Sequence, residues 1–384
     1  MVNHLNLRGQ KMSVEGRSGR SGRSGRSGRS GRSGRSGRSG DGANLDHAGG
    51  ETSSLLSDGL VSSRDGIAGY WNGAKDPNTT LATGFGTGPT EITYLRWGTR
   101  ALMLDHELAE GIRVRFDSDA NGTPRDGVAR LQAGTAAPFL EVQRPTLAQF
   151  ERQLKWLRTY ADLREDRLSE VISQQDDILS YFGSIALLDD QRRLRTLEIL
   201  EAAVRMAIHV ELKVKHLCRV PRPVDFSREV QPIVQTPDHS GFPSGHATEA
   251  FMTATLMHRL MTGKGPKDGV AGSAQVFRLA HRIASNRTVA GVHFPVDSAA
   301  GALMGCLLGE YIYGLAYGTT PSAAEGPFRG VITTSAPTDF QIDGDFTLDW
   351  LKTALPGDMA LPAQVRPHPS IFGTFGAMAE KEWW

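Results

Sequence analysis

The sequence predicts an all-α protein, a helical bundle carrying irregular extensions on both sides. Beyond Pro145, apolar residues recur at spacings of three and four over several successive segments, the period of a helix with one buried face. Prolines and glycines punctuate those segments at Pro221 and Pro223, at Gly263-Lys-Gly-Pro266, and at Gly291 and Pro295. The flanking stretches are rich in Gly, Thr, Asp and Pro and lack such periodicity. Together these divide the chain into an arm at 1–45, an irregular N-terminal extension at 46–142, a helical core at 143–318 and a C-terminal extension at 319–384.

The arm holds eight Arg-Ser-Gly repeats over residues 17–40. Glycine at every third position is shared with collagen, but without proline nothing stabilises a triple helix. With no apolar residue to bury, the tract is expected to be disordered and cationic. Its charge suits a tether to nucleic acid or membrane, against a solvated linker or a start overextended upstream of Met12. In the next section the runs Ile92-Thr-Tyr-Leu and Gly111-Ile-Arg-Val-Arg-Phe read as short strands or loop anchors. Asp117-Ser-Asp-Ala-Asn-Gly reads as a turn, because Val128 stands where a calcium loop needs its Glu.

The first core helix follows Pro145, with Leu147, Phe150, Leu154, Leu157 and Tyr160 on one stripe. A second is expected over Arg167 to Phe182. A third begins after Asp189-Asp190 and runs through Leu194, Leu197, Leu200, Val204, Ile208 and Leu212 toward Arg219. Pro243, suited to a first helical position, opens a fourth through Ala247, Phe251, Ala254, Met257 and Met261. A fifth spans Ser273 to Asn286, with Val276, Leu279 and Ile283 inward. The last starts at Pro295. Its stretch from Ser298 to Gly318 approaches the ~20 residues of a membrane span, but Glu310 and five glycines make it a buried, closely packed core helix. The tail has seven prolines and is expected to wrap the bundle or an oligomer partner, without chemistry of its own.

The formal net charge of +1 hides an asymmetry. Residues 1–40 carry ten of the basic residues against one acid, leaving a body of about −8 that does not suit a general nucleic-acid binder. Cys218 and Cys306 form neither a disulfide framework nor a zinc spacing. The first residues lack the apolar run of a secretory signal, so a cytoplasmic location is the default, with export left open.

Chemistry gathers in three segments: Lys215-x6-Arg222-Pro223, Pro243-Ser-Gly-His246, and Arg287-x5-His293-x3-Asp297. Three cations, with N–H groups from Ser244, Gly245 and His246 at a helix start, can neutralise a tetrahedral oxyanion and the extra charge of a five-coordinate state. His293 and Asp297 stand one turn apart, so the carboxylate can hold one imidazole nitrogen and raise the basicity of the other. As ordinary structure, Lys215 would complement a helix dipole and His246 would sit in a turn leading into a helix.

These three segments, in this order on a helical background, resemble the type-2 phosphatidic-acid phosphatase and vanadium haloperoxidase superfamily, over roughly residues 145–318. In a phosphatase the resemblance implies that His293 attacks phosphorus and His246 protonates the leaving oxygen. In a haloperoxidase it implies bound vanadate with His293 as the single protein ligand to the metal. Lys215, Arg222, Ser244, Gly245 and Arg287 would then hold the vanadate oxygens, and His246 would take a proton from hydrogen peroxide, which oxidises a halide.

His239, seven residues before His246, resembles a second active-site histidine of bromide-oxidising haloperoxidases; otherwise it is an exposed turn residue. His293-Phe-Pro-Val-Asp297 resembles the acid phosphatases instead, and Asn286 replaces a serine that often precedes the third-segment arginine. The long body, with neither multiple spans nor a signal, favours the vanadium-dependent haloperoxidase over the alternative, a soluble phosphatase acting on phosphate esters without a cofactor. A non-catalytic oxyanion or nucleic-acid binder is the third reading, disfavoured because binding alone needs no positioned acid–base pair.

Overall fold

The computed structural model describes residues 54–67, 72–74, 88, 90–118, 121–133, 138–317, 330–332, 344–355 and 370–383. The Arg-Ser-Gly arm lies outside the described residues. Ahead of the core run α1 (Ser54–Ile67), α2 (Trp97–Gly111), β1 (Ile112–Ser118), β2 (Pro124–Ala133) and β3 (Pro138–Gln143). The core contains α3 (Leu147–Ala161), α4 (Arg164–Ser173), α5 (Leu179–Ala186), α6 (Leu194–Cys218) and α7 (Pro223–Phe226), followed by α8 (Gly245–Thr262), α9 (Pro266–Ala271), α10 (Gln275–Val289) and α11 (Pro295–Tyr317). Beyond it lie β4 (Gly330–Ile332), α12 (Leu348–Ala354) and α13 (Ile371–Glu380).

The protein is mostly helical, as its periodicity predicts, but the described residues between 54 and 142 are more regular than expected. The run after Gly111 is β1, and Gly122, at φ +80°, precedes β2; the expected turn over Asp117–Gly122 lies partly outside the described residues. Strands β1 to β3 pair antiparallel in chain order, and β4 adds in parallel to β3. The sheet lies against α6. Ile92 is a buried loop anchor, so that run is not a strand. The helix expected over Arg167 to Phe182 is broken: α4 stops at Ser173 and α5 starts at Leu179. The polar run Gln174-Gln-Asp-Asp177 has no apolar residue to continue the stripe.

The centre of the bundle is the pair α8 and α11. Gly301, Gly305 and Gly309 form a stripe of small residues on α11, and a Cβ on Gly301 would fall 2.4 Å from the Ser244 carbonyl. One on Gly305 would fall 2.3 Å from the Thr248 carbonyl. The backbones can approach this closely only without those side chains. Pro295–Ala316 is long and apolar enough to cross a membrane, and 89% of that window is buried inside the bundle. Glu310 within it takes two hydrogen bonds from Arg259 of α8, at 2.8 and 2.5 Å, with both side chains 3% exposed. That is the environment of a core helix.

The tail contributes structure as well. Glu382 accepts the Arg195 and Thr196 N–H groups at 2.8 and 2.9 Å, satisfying the start of α6, whose own Arg193 offers no side-chain cap. α13 packs on α2, α6 and α11.

Candidate active site

The three segments meet where the C-terminal end of α6 faces the N-terminal ends of α8 and α11. Lys215, 1% exposed in the last turn of α6, donates Nζ–H bonds to the Ser240 carbonyl at 3.1 Å and the Pro243 carbonyl at 2.5 Å. Of its three donors one remains for an anion. The lysine is therefore no mere dipole complement. Burial lowers its pKa to about 8, opposed by the neighbouring Glu211 carboxylate.

Arg222 is the hub. Its Nε donates to the His239 carbonyl at 3.0 Å, and its Nη1 donates to the Val292 carbonyl at 3.0 Å and meets His293 Nε2 at 3.1 Å. Its Nη2 lies 3.1 Å from His239 Nδ1. One guanidinium thus ties the loop before α8 to the loop before α11. His239 is half-buried against it, with burial and then Lys215 and Arg222 pushing its pKa down to about 4. A neutral ring there accepts from Arg222 through Nδ1.

His293, 5% exposed, places Nδ1 3.1 Å from Asp297 Oδ2, which also accepts the Phe294 N–H at 2.9 Å. The Arg222 guanidinium can only donate, so Nε2 presents its lone pair and Nδ1 carries the hydrogen toward Asp297. Desolvation, then Arg222 and Lys215, hold the His293 pKa well below the usual value, so the ring is neutral at neutral pH. Burial raises the Asp297 carboxyl to about 7, opposed by Phe294 N–H and the two cations.

The start of α8 differs from expectation in two respects. Ser244 is the N-cap, with Oγ accepting the Ala247 N–H at 3.5 Å, so Pro243 lies one residue before the cap. The Ser244 N–H is also already spent: it donates to the Asp297 carbonyl at 2.9 Å. Ser244 therefore locks α8 to α11, and of the three N–H groups expected to meet an oxyanion only those of Gly245 and His246 remain candidates. The approach of α11 that its glycines permit brings that carbonyl within reach.

His246 donates Nε2–H to the Gln174 carbonyl at 3.0 Å, since a carbonyl can only accept. Burial, then Arg287, lowers its pKa well below the usual value. Arg287, 2% exposed, donates Nη2–H to the Val171 carbonyl at 3.0 Å and Gln174 Oε1 at 3.2 Å, and its buried Nε meets no protein acceptor. Gln174, in the break between α4 and α5, thus braces His246 and Arg287 together.

Sequence reasoning missed Gln174 and Glu211. The polar run that breaks the helix was a signal for the first. For the second it was an acid one turn before Lys215, on a helix whose neighbouring positions are apolar. Glu211 is 1% exposed, its Oε2 has no hydrogen-bond partner, and its carboxylate lies against Gly245, where a Cβ would fall 2.5 Å from Oε1. Burial pushes its pKa up to about 7, opposed by Lys215 and Arg222.

Three cations, two helix-start N–H groups and an imidazole whose Nε2 lone pair faces Arg222 Nη1 suit a tetrahedral oxyanion, phosphate or vanadate alike. A model of the PAP2 superfamily matches residues 198–320, which include all three segments. Decaprenylphosphoryl-5-phosphoribose phosphatase of Mycobacterium tuberculosis, in strains CDC 1551 / Oshkosh and ATCC 25618 / H37Rv, is 32% identical over 135 residues. The match covers 35% of this chain and 68% of that protein. The chain belongs to the PAP2 superfamily. Within this superfamily protein, the matched region starts in α6 at Glu198 and ends just past α11, so α3 to α5, including Gln174, precede it.

Proposed function

We propose that the protein is a phosphatase that hydrolyses phosphate monoesters through a phosphohistidine on His293. The observation that carries this is the pairing of His293 with Asp297 on one side and Arg222 on the other. It presents a neutral Nε2 lone pair beside a cation able to take a phosphoryl oxygen. The similarity to a phosphatase supports phosphate over vanadate as the group received, contrary to the haloperoxidase favoured by length and by His239.

In this reading a phosphoryl oxygen draws Arg222 Nη1–H away from His293 Nε2, which attacks phosphorus as the ester P–O bond breaks. Lys215, Arg287 and the Gly245 and His246 N–H groups hold the equatorial oxygens, where charge accumulates. The substrate's negative charge offsets Arg287, so His246 can hold a second proton at Nδ1 and deliver it to the leaving oxygen. Water then gives that proton back to His246 as it attacks the phosphohistidine, releasing inorganic phosphate. His239, accepting from Arg222, keeps the guanidinium in plane.

Vanadate fits the same donors, with His293 Nε2 as its one protein ligand, and would supply peroxide activation for halide oxidation. The deciding experiment assays the purified protein for p-nitrophenyl phosphate hydrolysis and for peroxide-dependent bromination of a chlorinated diketone, with and without orthovanadate. Phosphate release inhibited by orthovanadate is expected. Bromination that requires orthovanadate, without phosphate release, would overturn the reading in favour of the haloperoxidase.

A further inference from the structure

The geometry points to Gln174 as a further oxyanion-binding residue, its side-chain N–H donating to an oxygen of the bound phosphoryl group. This rests on the reading that the pocket receives such a group.

The orientation of the Gln174 amide follows from its neighbours. Arg167 Nη1 donates to Asn286 Oδ1 at 3.2 Å, which turns Asn286 Nδ2 toward Glu170 Oε2 at 2.9 Å and Gln174 Oε1 at 3.0 Å. Arg287 Nη2 donates to the same Oε1 at 3.2 Å. A flipped Gln174 amide would set N–H against two donors. Nε2 is therefore the outer atom, and it meets no protein acceptor although Gln174 is 0% exposed.

A buried N–H left without a partner is costly, so a completed complex is expected to supply one. The acceptor's position is narrowed by two neighbours. Arg287 Nε is buried and equally without an acceptor, and the Gln174 carbonyl holds His246. Two buried donors without acceptors, on side chains joined to each other through Gln174 Oε1, one of them on an arginine of the candidate site, call for an anionic oxygen. Asn286 acquires a role by the same geometry: it passes the orientation set by Arg167 to Gln174.

The test measures orthovanadate binding by calorimetry at pH 7.5, with p-nitrophenyl phosphate kinetics alongside. Gln174→Met should weaken orthovanadate about tenfold, the loss of one hydrogen bond to a charged group, in the native background and again in Arg287→Ala. Loss only where Arg287 is present would mean that Gln174 acts through that arginine, and unchanged affinity in both would leave it structural; either overturns the inference. Should the Met variant fail to fold, Gln174→Glu retains the bonds from Asn286 and Arg287 and replaces the N–H by oxygen. Weaker binding with an unchanged thermal midpoint is then expected, and unchanged affinity sinks the idea. Native protein that binds orthovanadate without hydrolysing the ester would end the phosphatase reading and leave this inference standing; native protein that binds no orthovanadate ends the inference.

Discussion

Asp297 reaches both histidine-bearing loops of the site: its side chain holds His293 Nδ1 at 3.1 Å, and its carbonyl accepts the Ser244 N–H, two residues before His246, at 2.9 Å. One residue at the start of α11 thus sets the tautomer of one imidazole and the position of the helix that carries the other. Asp297→Asn should keep the backbone bond and lose the tautomer, because an amide N–H facing Nδ1 would favour hydrogen on Nε2. We expect kcat to fall roughly 10³- to 10⁴-fold with KM little changed. Trapping of phosphorylated protein in a quench experiment would fall in parallel, and a variant that still accumulates phosphohistidine at the native rate would contradict the assignment.

Arg222 lowers the His293 pKa. Arg222→Gln removes that charge, so the His293 pKa should rise and the acid-side loss of kcat/KM should begin at higher pH. The sign follows from the nucleophile being the neutral ring, which protonation removes. The rate at the optimum should drop about 10²- to 10³-fold, as for loss of a preorganised donor. Imidazole titration by NMR reads the shift directly; a His293 resonance titrating at unchanged pH would refute the electrostatic account.

Glu211 raises the pKa of Lys215. Glu211→Gln should therefore let Lys215 lose its proton below its present value of about 8, moving the alkaline loss of inorganic-phosphate inhibition to lower pH. Competitive inhibition measured across the pH range gives the limb. An alkaline limb that stays in place would separate Glu211 from Lys215.

Gly305→Ala tests the helix contact that brings the segments together. Its Cβ would meet the Thr248 carbonyl at 2.3 Å, and backbone cannot swing aside as a side chain can. A stability loss of about 1–3 kcal/mol is expected from overpacking, seen as a lowered thermal midpoint, with kcat falling as the Ser244 to Asp297 bond lengthens. Ala at exposed Gly59 of α1, where nothing lies within 4 Å, serves as the neutral comparison.

Much of this site is legible in the chain because its chemistry is local. His293 and Asp297 are neighbours by helical geometry alone, and the Pro243-Ser-Gly segment marks the start of α8 to within two residues. The apolar periodicity of α3, α6 and α10 likewise reports most of the buried faces, except at the ends of two stripes, where Leu147 at the start of α3 and Leu212 near the end of α6 are exposed. Other features depend on segments far apart in sequence. The break at Gln174 looked like helix because its flanks are periodic, and while the alternating Ile-Arg-Val-Arg-Phe of β1 offered a strand, β2 and β3 lack such alternation and the sheet they complete was not legible.

Residue type and spacing by themselves determined the helical class, the three motif segments and their cationic character. Only the tertiary structure decided which donors remain available. It commits the Ser244 N–H to the Asp297 carbonyl, joins His239 to His293 through Arg222, and places Gln174 between His246 and Arg287. The reason is that a hydrogen bond needs a partner within about 3 Å, and for groups tens of residues apart that distance is set by helix packing rather than by spacing along the chain.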